Sequence, residues 1–147
     1  STSSEKDELF NISKTITSLI KKYDNTLITS NIEENISFNG RKNLLLRCLS
    51  NVIDNGLKYG KKVKFSLKKL NKIIVINIED DGPGIPKSEY INVFKPFYKI
   101  NKGRGDSKSS VGLGLSIASD VVRSHGGKID LTKSKLGGLY VKISLPF

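Results

Sequence analysis

The sequence predicts an α+β domain of two layers, and three observations predict it. Three stretches carry apolar residues at helical spacing. About five others carry strand alternation or short apolar runs, and these come in hairpins instead of alternating singly with helices. With 147 residues and 37% hydrophobic content, the chain fits one domain whose core folds without cross-links.

In chain order, residues 1–7 are polar and aperiodic and are expected to be a flexible leader to a single domain over residues 8–147. From Glu8 to about Tyr23, the residues Phe10, Ile12, Ile16, Leu19, Ile20 and Tyr23 recur at helical spacing and predict one amphipathic helix. Thr26 to Ile32 and Ile36 to Phe38 predict strands on either side of the turn Glu33-Glu34-Asn35. Arg41 to Tyr59 predicts the second helix. Leu45, Leu49, Val52 and Ile53 form its buried stripe, and Asn51, Asn55 and then Lys58 or Tyr59 stack beside it. Amides next to an apolar face point inward or into a cleft, where their carbonyl oxygens suit a hard divalent ion that also holds phosphate. Chance placement in an asparagine-rich chain is the plainer explanation. Lys58 offers a charge to phosphate, and Gly60 stops the helix.

Lys62 to Lys68 alternates Val63, Phe65 and Leu67 with polar residues and turns through Lys69–Lys72 into Ile73-Ile74-Val75-Ile76-Asn77-Ile78. That second strand delivers Asp80 and Asp81 straight into Gly82-Pro83-Gly84-Ile85-Pro86. Acids at a strand end beside glycines mark a site: glycine lets a flat ligand approach the backbone, and a carboxylate accepts from an exocyclic amine. A polar loop closing a hairpin is the alternative. Lys87 to Val93 predicts a short helical piece, and Phe94-Lys95-Pro96-Phe97-Tyr98 a hydrophobic plug anchoring a basic, glycine-rich loop over residues 99–110. Gly112-Leu113-Gly114-Leu115 opens a third helix that ends near Ser124, with Gly126-Gly127 as its stop. Free N–H groups at such a start cradle phosphate. This is neither the dinucleotide fingerprint, since Ile117 stands where its third glycine belongs, nor a P-loop. A last hairpin, Lys128–Lys133 and Leu139–Leu145, turns through Leu136-Gly137-Gly138.

A formal charge of +11 attracts polyanions of any kind without choosing among them. Lys61, Lys62, Lys64, Lys68, Lys69 and Lys72 read as a solvated strand face, so no nucleic-acid partner is expected; lysines so placed bind polyanions weakly and without specificity. The single cysteine, Cys48, rules out an intramolecular disulfide and fits a reducing compartment. No apolar run is long enough to span a bilayer.

The boxes Asn51-x-x-x-Asn55 with Lys58-Tyr59, DDGPGIP, FKPFY, GLGLSIA and LGGLYVKISLP, in that order, resemble those of the ATP-binding domain of sensor histidine kinases. The resemblance covers nearly the whole chain from about Ser13. It implies the Bergerat fold, an α/β sandwich whose mixed, mostly antiparallel sheet is covered on one face by helices. It also implies ATP and Mg2+ as cofactors. Asp80 would accept from the adenine amine, with Gly82, Gly84 and Ile85 shaping the pocket. Asn55 would hold magnesium with Asn51 in support, and Lys58 and Tyr59 would reach phosphate and ribose or adenine. Phe94 and Phe97 would root a lid over residues 95–112. Arg104, with Lys102 or Lys108, would meet the γ-phosphate, Lys99 would also bind the cofactor, and Gly112, Leu113, Gly114 and Leu115 would line the phosphate cradle. Asn55, Lys58 and Arg104 would carry catalysis. The string Arg104-Gly105-Asp106-Ser107 is similar to the osmolarity-sensing branch.

Two departures stand out. Ser110 and Val111 replace a glycine and a small hydroxyl residue usual before Gly112, and the family's phosphate-accepting histidine is missing. His125, the sole histidine, sits at a helix end and is read as structural. The implied partners are a histidine-containing dimerisation domain of the same kinase and a response regulator. The isolated domain is expected to be a monomer, the full-length protein a homodimer, and the location cytoplasmic, as part of an inner-membrane sensor. An anti-sigma type serine kinase or a non-catalytic nucleotide-binding regulator of the same fold is the other reading. Where hydrolytic branches place a glutamate as base, Asn51 cannot take a proton, so hydrolysis should be slow.

Overall fold

The computed structural model of the chain describes residues 4–98 and 113–147. Its central element is a five-stranded sheet of order β2-β4-β5-β7-β6, in which β2 (Ile28–Ile32), β4 (Val63–Leu70), β5 (Ile73–Asp80), β6 (Lys128–Lys133) and β7 (Leu139–Pro146) take part. Only the β2–β4 pair is parallel. The alternation seen in the sequence becomes two unlike faces. Register places Phe65, Ile78 and Val141 in one row and Leu67, Ile76 and Ile143 in the next, all buried. Lys64, Lys68 and Lys142 stand exposed on the other face. Against the apolar face lie α1 (Ile12–Ile20), α2 (Lys42–Tyr59) and α3 (Leu113–Ser124). α2 packs on β4 and β5, and α3 on α2, β6 and β7. This is the expected α+β two-layer sandwich with three α-helices on one face among the described residues.

Several local expectations are corrected. The chain from Glu8 is not helical from its start: β1 (Glu8–Asn11) pairs antiparallel with β3 (Ser37–Gly40) in a separate two-stranded sheet. Phe10, counted there as helical, meets Phe38 edge-on at 6.2 Å. The boundary is set by Asn11, whose side chain accepts from the Lys14 N–H and caps α1. At the other end, the N–H groups of Lys22 and Tyr23 bond to carbonyls three residues back, so α1 tightens and stops at Ile20. Tyr23 lies beyond it and donates to Asp54 at 2.7 Å. β2 starts at Ile28 instead of Thr26, and it does not pair with β3, since each joins a different sheet. Lys87 to Val93 is two 3₁₀ turns, Lys87–Glu89 and Asn92–Phe94, not one helical piece. The leader is tied in its described part. The Glu5 carboxylate accepts from the N–H groups of Asn43 and Leu44 at the start of α2, and Asp7 pairs with Arg41 at 3.2 Å.

The two long helices are joined by His125. Its Nδ1 donates to the Val121 carbonyl at 2.8 Å, and its Nε2 accepts from the Arg41 N–H at 3.0 Å, which fixes a neutral ring with the proton on Nδ1. The contact ties the end of α3 to the start of α2. His125→Ala leaves the Arg41 N–H without its acceptor and should destabilise the domain by about 1–3 kcal/mol in urea denaturation while leaving nucleotide affinity unchanged.

Candidate functional site

The end of β5 meets the end of α2. Asp80 is only 8% exposed. Its Oδ1 accepts from the Gly82 N–H at 2.9 Å and the Leu139 N–H at 3.3 Å, while Oδ2 has no hydrogen-bond partner among the described residues. Such a carboxylate is oriented by the backbone and still has one oxygen to offer. Burial raises its carboxyl above the ordinary aspartate range despite the two donors, and Asp81 beside it adds to the rise. Asp81 has the opposite role. Exposed, it accepts from the N–H groups of Lys61 and Lys62, which hold its carboxyl below the usual range, and it ties the turn after α2 to the end of β5.

Three glycines let the backbone close around Asp80. A Cβ on Gly138 would lie 1.9 Å from Asp80 Oδ1, one on Gly82 would lie 3.0 Å from the same atom, and one on Gly56 would lie 3.2 Å from Asp80 Cβ. Gly84, at φ +72°, lets the loop after β5 turn against the Gly137–Gly138 backbone. Gly138 was legible in the sequence only as a turn residue, and its contact with Asp80 is visible only once the chain is folded.

The amide-bearing face of α2 adjoins this cradle. Asn51 and Asn55 are half-buried, and Asn51 Nδ2 is a buried donor without a partner among the described residues. An orphaned buried donor costs stability, so its acceptor lies beyond the described residues. A Cβ on Gly114 would lie 3.6 Å from the Asn51 carbonyl, which puts the first turn of α3 over this part of α2. Lys58 and Tyr59 are exposed at the end of α2, the Lys58 ammonium 5.5 Å from the Tyr59 ring centre. Ile85 is half-buried against the core. The structure thus gathers Gly56, Gly82 and Gly138 around Asp80, with Gly84 against Gly138, and sets Gly114 over Asn51, five residues before Gly56 on α2.

Other expectations fare differently. Leu115 sends its side chain into the core, leaving only its backbone for a ligand. Phe97, expected to root the following segment, is 67% exposed with φ +64°. Phe94, expected to share that role, packs partly buried on the core, as does Tyr98, which also donates to Glu89, and Val93 beside them is buried. Lys99, Lys102, Arg104, Lys108, Ser110, Val111 and Gly112 lie outside the described residues, and Leu113 contributes only its place at the start of α3.

Residues 40–147 match the family described as histidine kinase-, DNA gyrase B-, and HSP90-like ATPase. The chain belongs to this family. The sensor histidine kinase GtrS of Pseudomonas aeruginosa is 37% identical over 108 residues, 73% of this chain but 22% of that protein. The mycobacterial sensor histidine kinase MprB has the same fold at 25% identity with a TM-score of 0.81, covering 95% of this chain and 97% of that one. The histidine kinase domain of the E. coli osmosensor EnvZ gives a TM-score of 0.73 at 25% identity, covering 99% and 92%. Both share the fold, so the fold does not select the osmolarity-sensing branch. The chain spans about a fifth of the full-length GtrS it matches. It is a domain of this ATP-binding family, and no helix among its described residues is long and apolar enough to cross a membrane.

For an ATPase-family domain the raised carboxyl of Asp80 carries a measurable conflict. The folded chain holds the Asp80 proton more tightly than the unfolded one. The stability this gives is fully present below the ordinary aspartate value and is lost as pH rises through the raised one. Asp80→Asn should therefore raise the melting temperature of the nucleotide-free domain at neutral pH and flatten its dependence on pH between those two values. On the expectation that Asp80 accepts from the adenine amine, the same change should weaken ATP roughly 5- to 150-fold in calorimetric titration, because an amide donor would then face the base's own donor.

Proposed function

We propose that this chain is the catalytic part of a two-component sensor histidine kinase. It holds ATP so that the γ-phosphoryl group passes to a histidine on a separate dimerisation domain of the same kinase, for relay to an aspartate of a response regulator. The observation that carries this reading is Asp80, buried with one oxygen fixed by two backbone N–H groups and the other unpartnered among the described residues, against Gly56 of α2. Asp80 accepts from the adenine amine in a pocket shaped by Gly82, Gly84 and Ile85, and Tyr59 borders the base or ribose.

Asn55, a neutral oxygen donor of the hardness Mg2+ prefers, holds that ion with Asn51 beside it. Magnesium, when bound, neutralises phosphate charge. Lys58 meets phosphate oxygens. The backbone around Gly112, Leu113, Gly114 and Leu115 would supply donors to the phosphates, and Arg104 would neutralise the γ-phosphate, with Lys99 a further cofactor-binding cation. In the transfer, the bond from the γ-phosphorus to the β,γ-bridging oxygen breaks as a histidine nitrogen bonds to phosphorus, and ADP leaves.

His125 cannot be that nitrogen, since one ring nitrogen carries a proton given to Val121 and the other is occupied by the Arg41 N–H. The acceptor therefore comes from outside this chain. Asn51 has no basicity with which to activate water, which favours transfer over hydrolysis. The domain's work is then positioning and charge stabilisation. We place it on the cytoplasmic side of a membrane-anchored homodimer, with the isolated domain a monomer.

Asn55→Ala should weaken ATP at millimolar magnesium by about tenfold or more while changing magnesium-free adenosine binding little. It should also abolish transfer to a supplied dimerisation domain. Equal losses with and without magnesium in calorimetric titration would remove Asn55 from the metal site.

A further inference from the structure

Among the buried polar residues, Ser13, Ser116, Ser119 and Ser134 have no role assigned so far, and Ser134 is bonded to the residue next to Asp80. Ser134, 3% exposed, lies just past β6 in the turn to β7. Its Oγ donates to Glu79 Oε1 at 2.8 Å and accepts from the Leu136 N–H at 2.9 Å. Its own N–H donates to the Gly138 carbonyl at 2.8 Å, and its carbonyl accepts from the Gly137 N–H at 3.0 Å. Three of these four bonds fix the Leu136–Gly138 turn internally, and the fourth ties that turn to Glu79, the residue next to Asp80.

What the turn does at its far side gives this clamp a consequence. The Gly138 N–H donates to the Asp80 carbonyl at 3.1 Å, and the Leu139 N–H supplies the longer of the two bonds that orient Asp80 Oδ1. Gly138 also sits where a single added carbon would strike that oxygen. A small outward drift of the turn would break the 3.3 Å bond first and free the carboxylate to rotate about its Cα–Cβ bond. Such a bond is near the limit of useful geometry and depends on the scaffold that holds it.

We propose that Ser134 is a positioning residue for base recognition: by clamping the terminal turn to Glu79, it keeps Asp80 Oδ2 aimed at a 6-aminopurine and so sets the preference for adenine over 6-oxo purines. The inference rests on the reading of Asp80 as the adenine acceptor. Ser134 touches no ligand itself, and its effect passes through Leu139 and Gly138. A loosened Asp80 still offers an acceptor, but one that can swing away from a donor at the base's 6-position and cease to penalise a carbonyl there.

The test is calorimetric titration of the intact domain with ATP and with inosine triphosphate, which has an oxygen in place of the amine. Wild type should favour ATP. Ser134→Ala should reduce the ATP-to-inosine-triphosphate ratio by about two- to tenfold, and Ser134→Thr, which keeps the hydroxyl, should restore it. Glu79→Ala removes the clamp from its other end and should produce the same loss, while Glu79→Gln, which keeps an acceptor oxygen, should not. The double variant Ser134→Ala/Glu79→Ala should be no worse than either single change. A ratio unchanged in Ser134→Ala or in Glu79→Ala, whatever happens to the melting temperature, makes Ser134 a fold residue only and overturns the inference. A wild type that does not distinguish the two triphosphates overturns the reading of Asp80 as well.

Discussion

The structure depends on a carboxylate kept where carboxylates are costly. Asp80 ends the central strand β5 on the covered face of the sheet, in the row opposite Val63. Burial acts against its charge, and two backbone N–H groups offset only part of that cost. Around this one group the chain places glycine wherever a side chain would collide, at positions 56, 82 and 138, contributed by a helix, a loop and a hairpin turn far apart in sequence. Asp81, one residue on, spends its own carboxylate outside on the turn after α2 and so locks helix and strand together. The pair divides the labour: the exposed acid holds the scaffold, and the buried one keeps an oxygen unpartnered among the described residues.

The other half of the site follows from how α2 is seated. Its buried stripe, Leu45, Cys48, Leu49, Val52, Ile53 and Gly56, packs on the sheet and on α3, which leaves Asn51 and Asn55 half-covered, Asn55 next in the chain to the glycine that meets Asp80. Glu5 caps the start of this helix and Arg41 links it through His125 to the end of α3. The sole histidine of a chain related to histidine kinases is thus a structural joint, with both ring nitrogens in use.

Much of this was legible in the sequence because strong local signals agreed with the tertiary outcome. The alternation of β4 and the apolar stripe of α2 survived folding with their expected faces. The run of β5 ended at the acid expected to matter. Where local signals gave way, a specific interaction decided the matter. Asn11 capped α1 late and released Phe10 to a strand against Phe38, and Tyr23 left its helix to reach Asp54. Phe97 matched an aromatic anchor by type, yet a left-handed backbone turned it outward. Gly138 and Ser134 were beyond reach, because their importance lies in contacts with Asp80 and Glu79 more than fifty positions away. The resemblance of the five boxes named the family that the matches then showed, but no periodicity could have said that the terminal turn forms a wall of the site.

The account's central claim, that Asp80 reads the purine amine, is tested most directly by a crystal structure of the domain with a non-hydrolysable ATP analogue and magnesium. It predicts the adenine amine within hydrogen-bond distance of Asp80 Oδ2 and the phosphates running toward Asn51 and Asn55. A base bound elsewhere, or one whose amine faces solvent while Asp80 keeps only its two backbone donors, would contradict it.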